Sequence, residues 1–178
     1  LDEIATSDGD RLAIVEHNSE TQAVTRLTYN ELARRSKLIA LNLLALGIRA
    51  GDVVAMQLPN WWHYAAVYAA CVRIGVVLNP LMPIFREREL KFMLGFAGAR
   101  LLVVAANFRG FNDPAMMNSL RGELPRLDSV LIVNSESEKN DFNEVLLAPS
   151  DLSEAEQDSV LSPHRPQPND VTEIIYTS

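Results

Sequence analysis

Cysteine occurs once in the chain, at Cys71. An intrachain disulfide is thereby excluded, and so is a thiolate metal cluster. A lone thiol among apolar neighbours reads as a small buried side chain in a reducing compartment. Positive charge is also in short supply: 16 Lys and Arg stand against 23 Asp and Glu, a formal net charge of -7. A surface that neutralises nucleic-acid phosphates needs basic residues clustered and in excess, so the expectation is no nucleic-acid partner. The eight glycines, at positions 9, 47, 51, 75, 95, 98, 110 and 122, nowhere assemble G-x-G-x-x-G or G-x-x-x-x-G-K-[ST]. Neither a dinucleotide fingerprint nor a Walker loop lies within these residues. The three histidines, His17, His63 and His164, lack H-x-x-x-H or H-x-E spacing, which leaves no metal motif.

Long apolar runs are nearly absent too. The stretch YAAVYAACVRIGVVLNPLM, residues 64–82, carries Arg73 as its only charge and is long enough to span a bilayer. Gly75 breaks its helical pattern, however, and Val76, Val77 and Leu78 turn it into a short β-type run before Asn79-Pro80. It therefore splits into a buried helix and a buried strand, and no membrane span is expected. The chain opens without Met and without a basic-then-apolar leader. Read alone, it looks like a soluble, cytoplasmic piece trimmed from something larger.

What is present is a chain of 178 residues, 48% of them hydrophobic, enough for one domain with a core. RLAIVEH (11–17) and QAVTRLT (22–28) are β-rich runs around the polar NSET, which suggests a hairpin. In LTYNEL, Thr28 and Glu31 have capping-box spacing, while Leu27 and Leu32 occupy the staple positions. A helix starts there and runs with one apolar face until Gly47 supplies a left-handed stop. VVAMQL (53–58) is apolar throughout, as central parallel strands are. Pro59-Asn60 then turns the chain, with Asn60 placed to cap a helix from about Trp61 to Ile74.

VVLNPL gives a strand, FRERELKFMLGFAGA a helix, RLLVVAA a strand, residues 113–122 a helix, and SVLIVN (129–134) a strand. Strands alternating with helices, joined by connections too long for hairpins, indicate an α/β fold. The sheet should be mainly parallel and doubly wound, with helices on both faces, behind an N-terminal β-hairpin. Residues 135–170 turn acidic and then Pro-rich, and only FNEVLLA within them has a helical pattern; the segment reads as a surface excursion. The final NDVTEIIYTS reads as a buried strand that delivers Thr177 and Ser178 to its tip.

Candidate chemistry is thin. Trp61, Trp62, Tyr64 and Tyr68 could line an apolar pocket, but Tyr64 and Tyr68 at i, i+4 fit packing better. Glu87 with Glu89, and Glu154 with Glu156, are two residues apart, so their carboxylates diverge; Arg86 and Arg88 interleave with the first pair as a charged surface. Hydroxyls at the carboxyl end of a parallel strand, by contrast, stand where such sheets bind ligands.

The ordered run LTYNELARRSKLIALNLLALGIRAGDVVAMQLPNWWHYAAVYAACVRIGVVLNPLMP resembles the N-terminal region of the adenylate-forming superfamily. That superfamily comprises acyl-CoA synthetases, aryl acid ligases, luciferases and peptide-synthetase adenylation domains. The matching pieces are the L-T-Y-x-E-L helix start, the G-x-x-x-G-D-x-V-A turn, the P-N turn and the G-x-V-x-x-P-L segment. YTS after an apolar strand is similar to the start of the family's phosphate loop, Tyr-Thr-Ser-Gly-Thr-Thr-Gly-x-Pro-Lys. Residues 57–90 resemble most the ligases of short-chain fatty acids and of cyclohexanecarboxylate.

The resemblance implies an incomplete N-terminal subdomain, residues 1–178, of an ATP-dependent acyl-CoA ligase that uses ATP, Mg²⁺, CoA and a small carboxylic acid. Thr177 and Ser178 would contact nucleotide phosphate, and no catalytic residue or metal ligand would lie in this part. Alone, the piece is expected to be inactive and, with apolar area uncovered, to self-associate as a homo-oligomer. The alternative is a free-standing flavodoxin-like or receiver-like module. A receiver needs acids at its strand tips, and AMQLPN and VVAANF carry none; a flavodoxin needs a glycine and hydroxyl phosphate loop near its first parallel strand, also missing.

Overall fold

The computed structural model describes residues 1–19, 21–111, 113–135 and 140–177, without the side chains of Asp113, Ala115, Asn118, Ser119 and Arg121. The N-terminal hairpin forms as expected: β1 (Leu12–His17) pairs antiparallel with β2 (Val24–Thr28), from His17 opposite Val24 to Leu12 opposite Thr28. A helix that the sequence reading did not anticipate, α1 (Asp2–Asp8), precedes it and buries no residue. A long-range ion pair holds it, because the Arg73 guanidinium donates to both Asp2 carboxylate oxygens at 2.6 Å.

The first long helix, α2 (Tyr29–Ala45), starts on a reciprocal capping box. Glu31 N–H donates to Thr28 Oγ1 at 3.2 Å, and Thr28 N–H donates to Glu31 Oε2 at 2.7 Å. Leu27 and Leu32, the staple pair, are both buried. At the other end Gly47 takes φ +81°, and the amides of Gly47 and Ile48 close on the carbonyls of Leu44 and Leu43.

Four parallel strands form the main sheet in the order β4-β3-β5-β6: β3 (Val53–Gln57), β4 (Val77–Pro80), β5 (Leu101–Ala105) and β6 (Ser129–Val133). Helix α3 (Trp62–Arg73) links β3 to β4, α4 (Glu87–Ala97) links β4 to β5, and α5 (Asp113–Leu120) lies between β5 and β6. Strand residues alternate between two apolar layers. Val54, Met56, Leu78, Leu101, Val103 and Leu131 meet α2 and α3 on one face. Val53, Ala55, Val77, Leu102 and Val104 meet α4 and α5 on the other. The doubly wound reading is therefore the observed fold.

Two regions depart from the sequence reading. In the 135–170 region, α6 (Phe142–Leu146) forms where the pattern lay and buries Phe142 and Leu146 in the α2 layer; Asn42 Nδ2 donates to the Leu146 and Ala148 carbonyls at 3.1 Å each. A further helix, α7 (Glu154–Leu161), starts on a Ser153–Glu156 capping box whose signal was not recognised.

The terminal run is the second departure. It is not a buried strand but an edge segment. It lies parallel to β4 through a single bridge, Leu78 to Glu173, with Leu78 N–H donating to the Thr172 carbonyl and Ile174 N–H to the Leu78 carbonyl, both at 2.9 Å. Val171 and Ile175 stay 62% and 64% exposed. Ile174 and Tyr176 pack against the α4 layer, whereas Val171 and Ile175 point to the opposite face of the sheet and meet water.

Candidate functional site

The strand order reverses between β3 and β5, whose following helices pass to opposite faces; the carboxyl ends of these strands make the crevice where open α/β sheets bind ligands. After β5, Phe108 and Phe111 exchange two backbone hydrogen bonds of 3.1 Å around Arg109 (φ +52°) and Gly110 (φ +76°). Two left-handed residues in succession form a tight mirror-image turn, which leaves Arg109 exposed at its tip. Arg86, just ahead of α4, lays its guanidinium 3.8 Å from the centre of the Phe111 ring.

The aromatic cluster after β3 is core rather than a substrate pocket. Trp61 and Trp62 are buried; His63 stacks on Trp62 at 3.7 Å and meets Phe142 edge-on at 5.2 Å, while Trp61 meets Phe108 edge-on at 6.3 Å. The Arg35 guanidinium sits 4.1 Å from the Trp62 ring centre. Burial, helped by the nearby Arg35 charge, holds the His63 pKa down at about 3. A base so weak has little use in proton transfer near neutral pH.

A small open recess of about 260 Å³ lies beside these rings, lined by Val15, Glu16, Trp61 and Tyr64 among others. The cap on α3 also differs from expectation. Asn60 does not cap it: Trp61 stands at the N-cap without a side-chain bond, and Glu16 of β1 accepts from Trp62 N–H at 2.6 Å. A tertiary carboxylate takes the place that local sequence assigned to Asn60.

One acid of each pair, Glu89 and Glu156, caps its helix. Glu89 accepts from Arg86 N–H at 3.1 Å, and Glu156 from Ser153 N–H at 2.8 Å. A cleft of about 1050 Å³ lies between α1, α2 and α7, away from the strand ends. It carries both signs of charge, with Lys37 paired to Asp158 at 2.8 Å and Arg73 to Asp2. Among the described residues no three His, Cys, Asp or Glu gather to hold a metal ion. No helix of the described residues is long and apolar enough to cross a membrane.

The terminal segment is where the sequence-read hydroxyls lie. Its parallel course along β4 carries it past the carboxyl end of that strand, and Thr177 emerges exposed; Ser178 lies outside the described residues. Two side-chain bonds fix its approach. Tyr176 lies near Phe92 and Phe96, with ring centres 6.3 and 6.4 Å away, and its hydroxyl donates to the Met93 carbonyl at 2.6 Å. Asn79 Nδ2 donates to the Ile174 carbonyl at 2.8 Å.

Asn79 and Gln57 are buried amides on the α4 face of adjacent strands, and sequence reasoning passed over both. Gln57 Nε2 donates to the Met82 and Phe85 carbonyls at 3.0 Å each, which holds the loop before α4. The signal was available: each breaks an otherwise apolar strand at its carboxyl end. Thr177 thus lies exposed past the carboxyl end of β4, after the two residues, Ile174 and Tyr176, that Asn79 and Met93 hold.

The AMP-binding enzyme family matches residues 1–178. The chain belongs to that family. Among its relatives, the AMP-binding chain is 31% identical over 125 residues to the medium-chain fatty-acid-CoA ligase of Escherichia coli (strain K12), a match over 70% of this chain and 21% of that protein. It is 34% identical over 131 residues to the 2-hydroxy-7-methoxy-5-methyl-1-naphthoate-CoA ligase of Streptomyces carzinostaticus, covering 73% of this chain and 24% of that one. The fold superposes on a Mycobacterium tuberculosis fatty acyl CoA synthetase with TM-score 0.78 at 22% identity, over 99% of this chain and 31% of the other. The chain thus spans less than a quarter of the length of these two curated relatives. Membership of the AMP-binding family replaces the flavodoxin-like and receiver-like alternative.

Proposed function

We propose that this chain is the N-terminal subdomain of an ATP-dependent acyl-CoA ligase, which joins a carboxylic acid to AMP with release of pyrophosphate and then passes the acyl group to CoA. The observation that carries the reading is the AMP-binding family match together with Tyr176-Thr177 standing at the carboxyl edge of the sheet. In this reading Thr177 and Ser178 open the turn that holds the ATP phosphates, where backbone amides and hydroxyls meet the charge. Magnesium would accompany the ATP, but the described residues offer no acidic cluster suited to it, so none is given that part.

The acid we favour is short-chain aliphatic or cyclohexanecarboxylate, on the resemblance of residues 57–90, and the compartment is the cytoplasm. Residues 1–178 are inactive by themselves. They self-associate through the exposed apolar side chains of Met82, Ile84, Phe92 and Phe96.

The test is acid-dependent exchange of labelled pyrophosphate into ATP by the full-length protein, run over a panel of carboxylic acids, followed by CoA-dependent release of AMP. Exchange with a short-chain or cyclohexane acid is expected. Cleavage of ATP to ADP and phosphate would sink the reading. For the piece alone, light scattering should find oligomers, and ATP-dependent thioester formation by it would refute its assigned inactivity.

A further inference from the structure

We infer that Asn79 is a positioning residue for the phosphate-binding turn: its side-chain amide sets where Thr177 emerges, and so how tightly ATP is held. The inference rests on the reading of Thr177 given under Proposed function.

Asn79 is a poor choice for stability alone. Its side chain is fully buried beside Ala55 of β3, on a face that Val53, Ala55 and Val77 share with the buried amide of Gln57, and among the described residues its Oδ1 has no hydrogen-bond partner. A buried amide whose oxygen is unpaired keeps its desolvation cost, and an aliphatic side chain of similar volume would not carry it. The one side-chain bond that Asn79 makes among the described residues is directed at the terminal segment: Nδ2 donates to the Ile174 carbonyl, three residues ahead of Thr177.

The backbone bonds between β4 and the segment end at Ile174 N–H, and Ile175 faces water. Beyond them the Tyr176 hydroxyl bond to Met93 on α4 is the next fixed point. Asn79 therefore ties the segment to the sheet, and Tyr176 ties it to a helix. Thr177 follows directly from these two anchors. Ile174 and Tyr176 also pack against the α4 layer while Val171 and Ile175 are exposed, but apolar contact of this kind holds the segment without fixing its direction. Residues that break a local rule at a cost in stability are found where function needs a fixed geometry.

The experiment uses the full-length protein with Asn79→Leu, which removes the amide, and Asn79→Asp, which keeps the shape and removes the donor. Thr177→Ala runs alongside. Pyrophosphate exchange gives KM for ATP and for the acid separately, and thermal unfolding reports the fold. The expected result is a rise of about tenfold or more in KM for ATP in both Asn79 variants, with the KM for the acid unchanged and no loss of thermal stability in Asn79→Leu.

A lowered melting temperature with ATP kinetics unchanged would assign Asn79 to structure alone and overturn the inference. If Asn79→Leu fails to fold, the same comparison stands on Asn79→Asp. Should Thr177→Ala leave ATP kinetics untouched, the parent reading of Thr177 fails. An effect of Thr177→Ala with none from either Asn79 variant defeats the positioning role only.

Discussion

At the amino end of the sheet, Arg100 Nη1 donates to Asp52 Oδ2 at 2.8 Å while Nη2 donates to Asp128 Oδ2 at 2.6 Å and Nη1 also reaches the Gly47 carbonyl at 3.0 Å. One guanidinium thereby joins the turns that enter β3 and β6 to the end of α2. These hydrogen bonds to its two carboxylates hold the Arg100 pKa above its ordinary value. Arg100→Met keeps the aliphatic stem and removes these three donations together with the fourth, from Nε to Asp128 Oδ2 at 2.9 Å. Because Asp128 is half exposed and salt screens such pairs, the expected loss is about 1–2 kcal/mol, smaller in 1 M salt, measured by urea titration.

Stability should fall with acid through His63. Its folded pKa of about 3 lies below the ordinary 6.5, since burial favours the neutral ring. The unfolded chain therefore binds the extra proton first, and the contribution that is whole above pH 6.5 drains away as pH drops toward 3. At pH 4.5 the cost is about 2–3 kcal/mol. Carboxylates titrate in the same window, so the quantity to measure is the difference between wild type and His63→Phe across pH 4.5–7. Parallel curves would show that the ring is not buried as described.

Glu16 caps α3 from a neighbouring strand, and the Glu16 side chain is itself buried. Glu16→Ala leaves the Trp62 amide without its acceptor in a dry setting, at about 1–3 kcal/mol. Asn60→Ala, at the position that local pattern nominates, should cost almost nothing. Denaturant midpoints of the two variants decide between local and tertiary capping.

Cys71 is fully buried, and desolvation pushes its thiol up to about 12. It should be silent toward a thiol reagent at pH 8 and titrate fully in denaturant. Rapid modification under native conditions would show that α3 opens.

Where the sequence was legible, the signal was local. The Thr28–Glu31 box with its Leu27–Leu32 staple, the Gly47 stop and the apolar runs of β3 and β5 each declare themselves within a few residues, and together they gave a doubly wound sheet. What was missed depends on partners far along the chain. Helix α1 is held by Arg73, the α3 cap comes from Glu16, and Asn79 reaches Ile174. The terminal run was misread for a related reason: its alternation is that of a strand, and alternation cannot say whether one neighbour or two will flank it. The overlooked α7 is different, because its capping box was local and simply weak beside the surrounding Pro and acids.

The edge placement of residues 171–177 sets an order of events on warming. Peeling this segment from β4 breaks two backbone bonds and two side-chain bonds and uncovers only the margin of the α4 layer, where Ile174 and Tyr176 pack. Amide exchange at Ile174 should therefore outrun that at Val103 or Met56, and the tip can lose its shape while the circular dichroism of the helices is still intact. A preparation kept warm would age from this one edge inward.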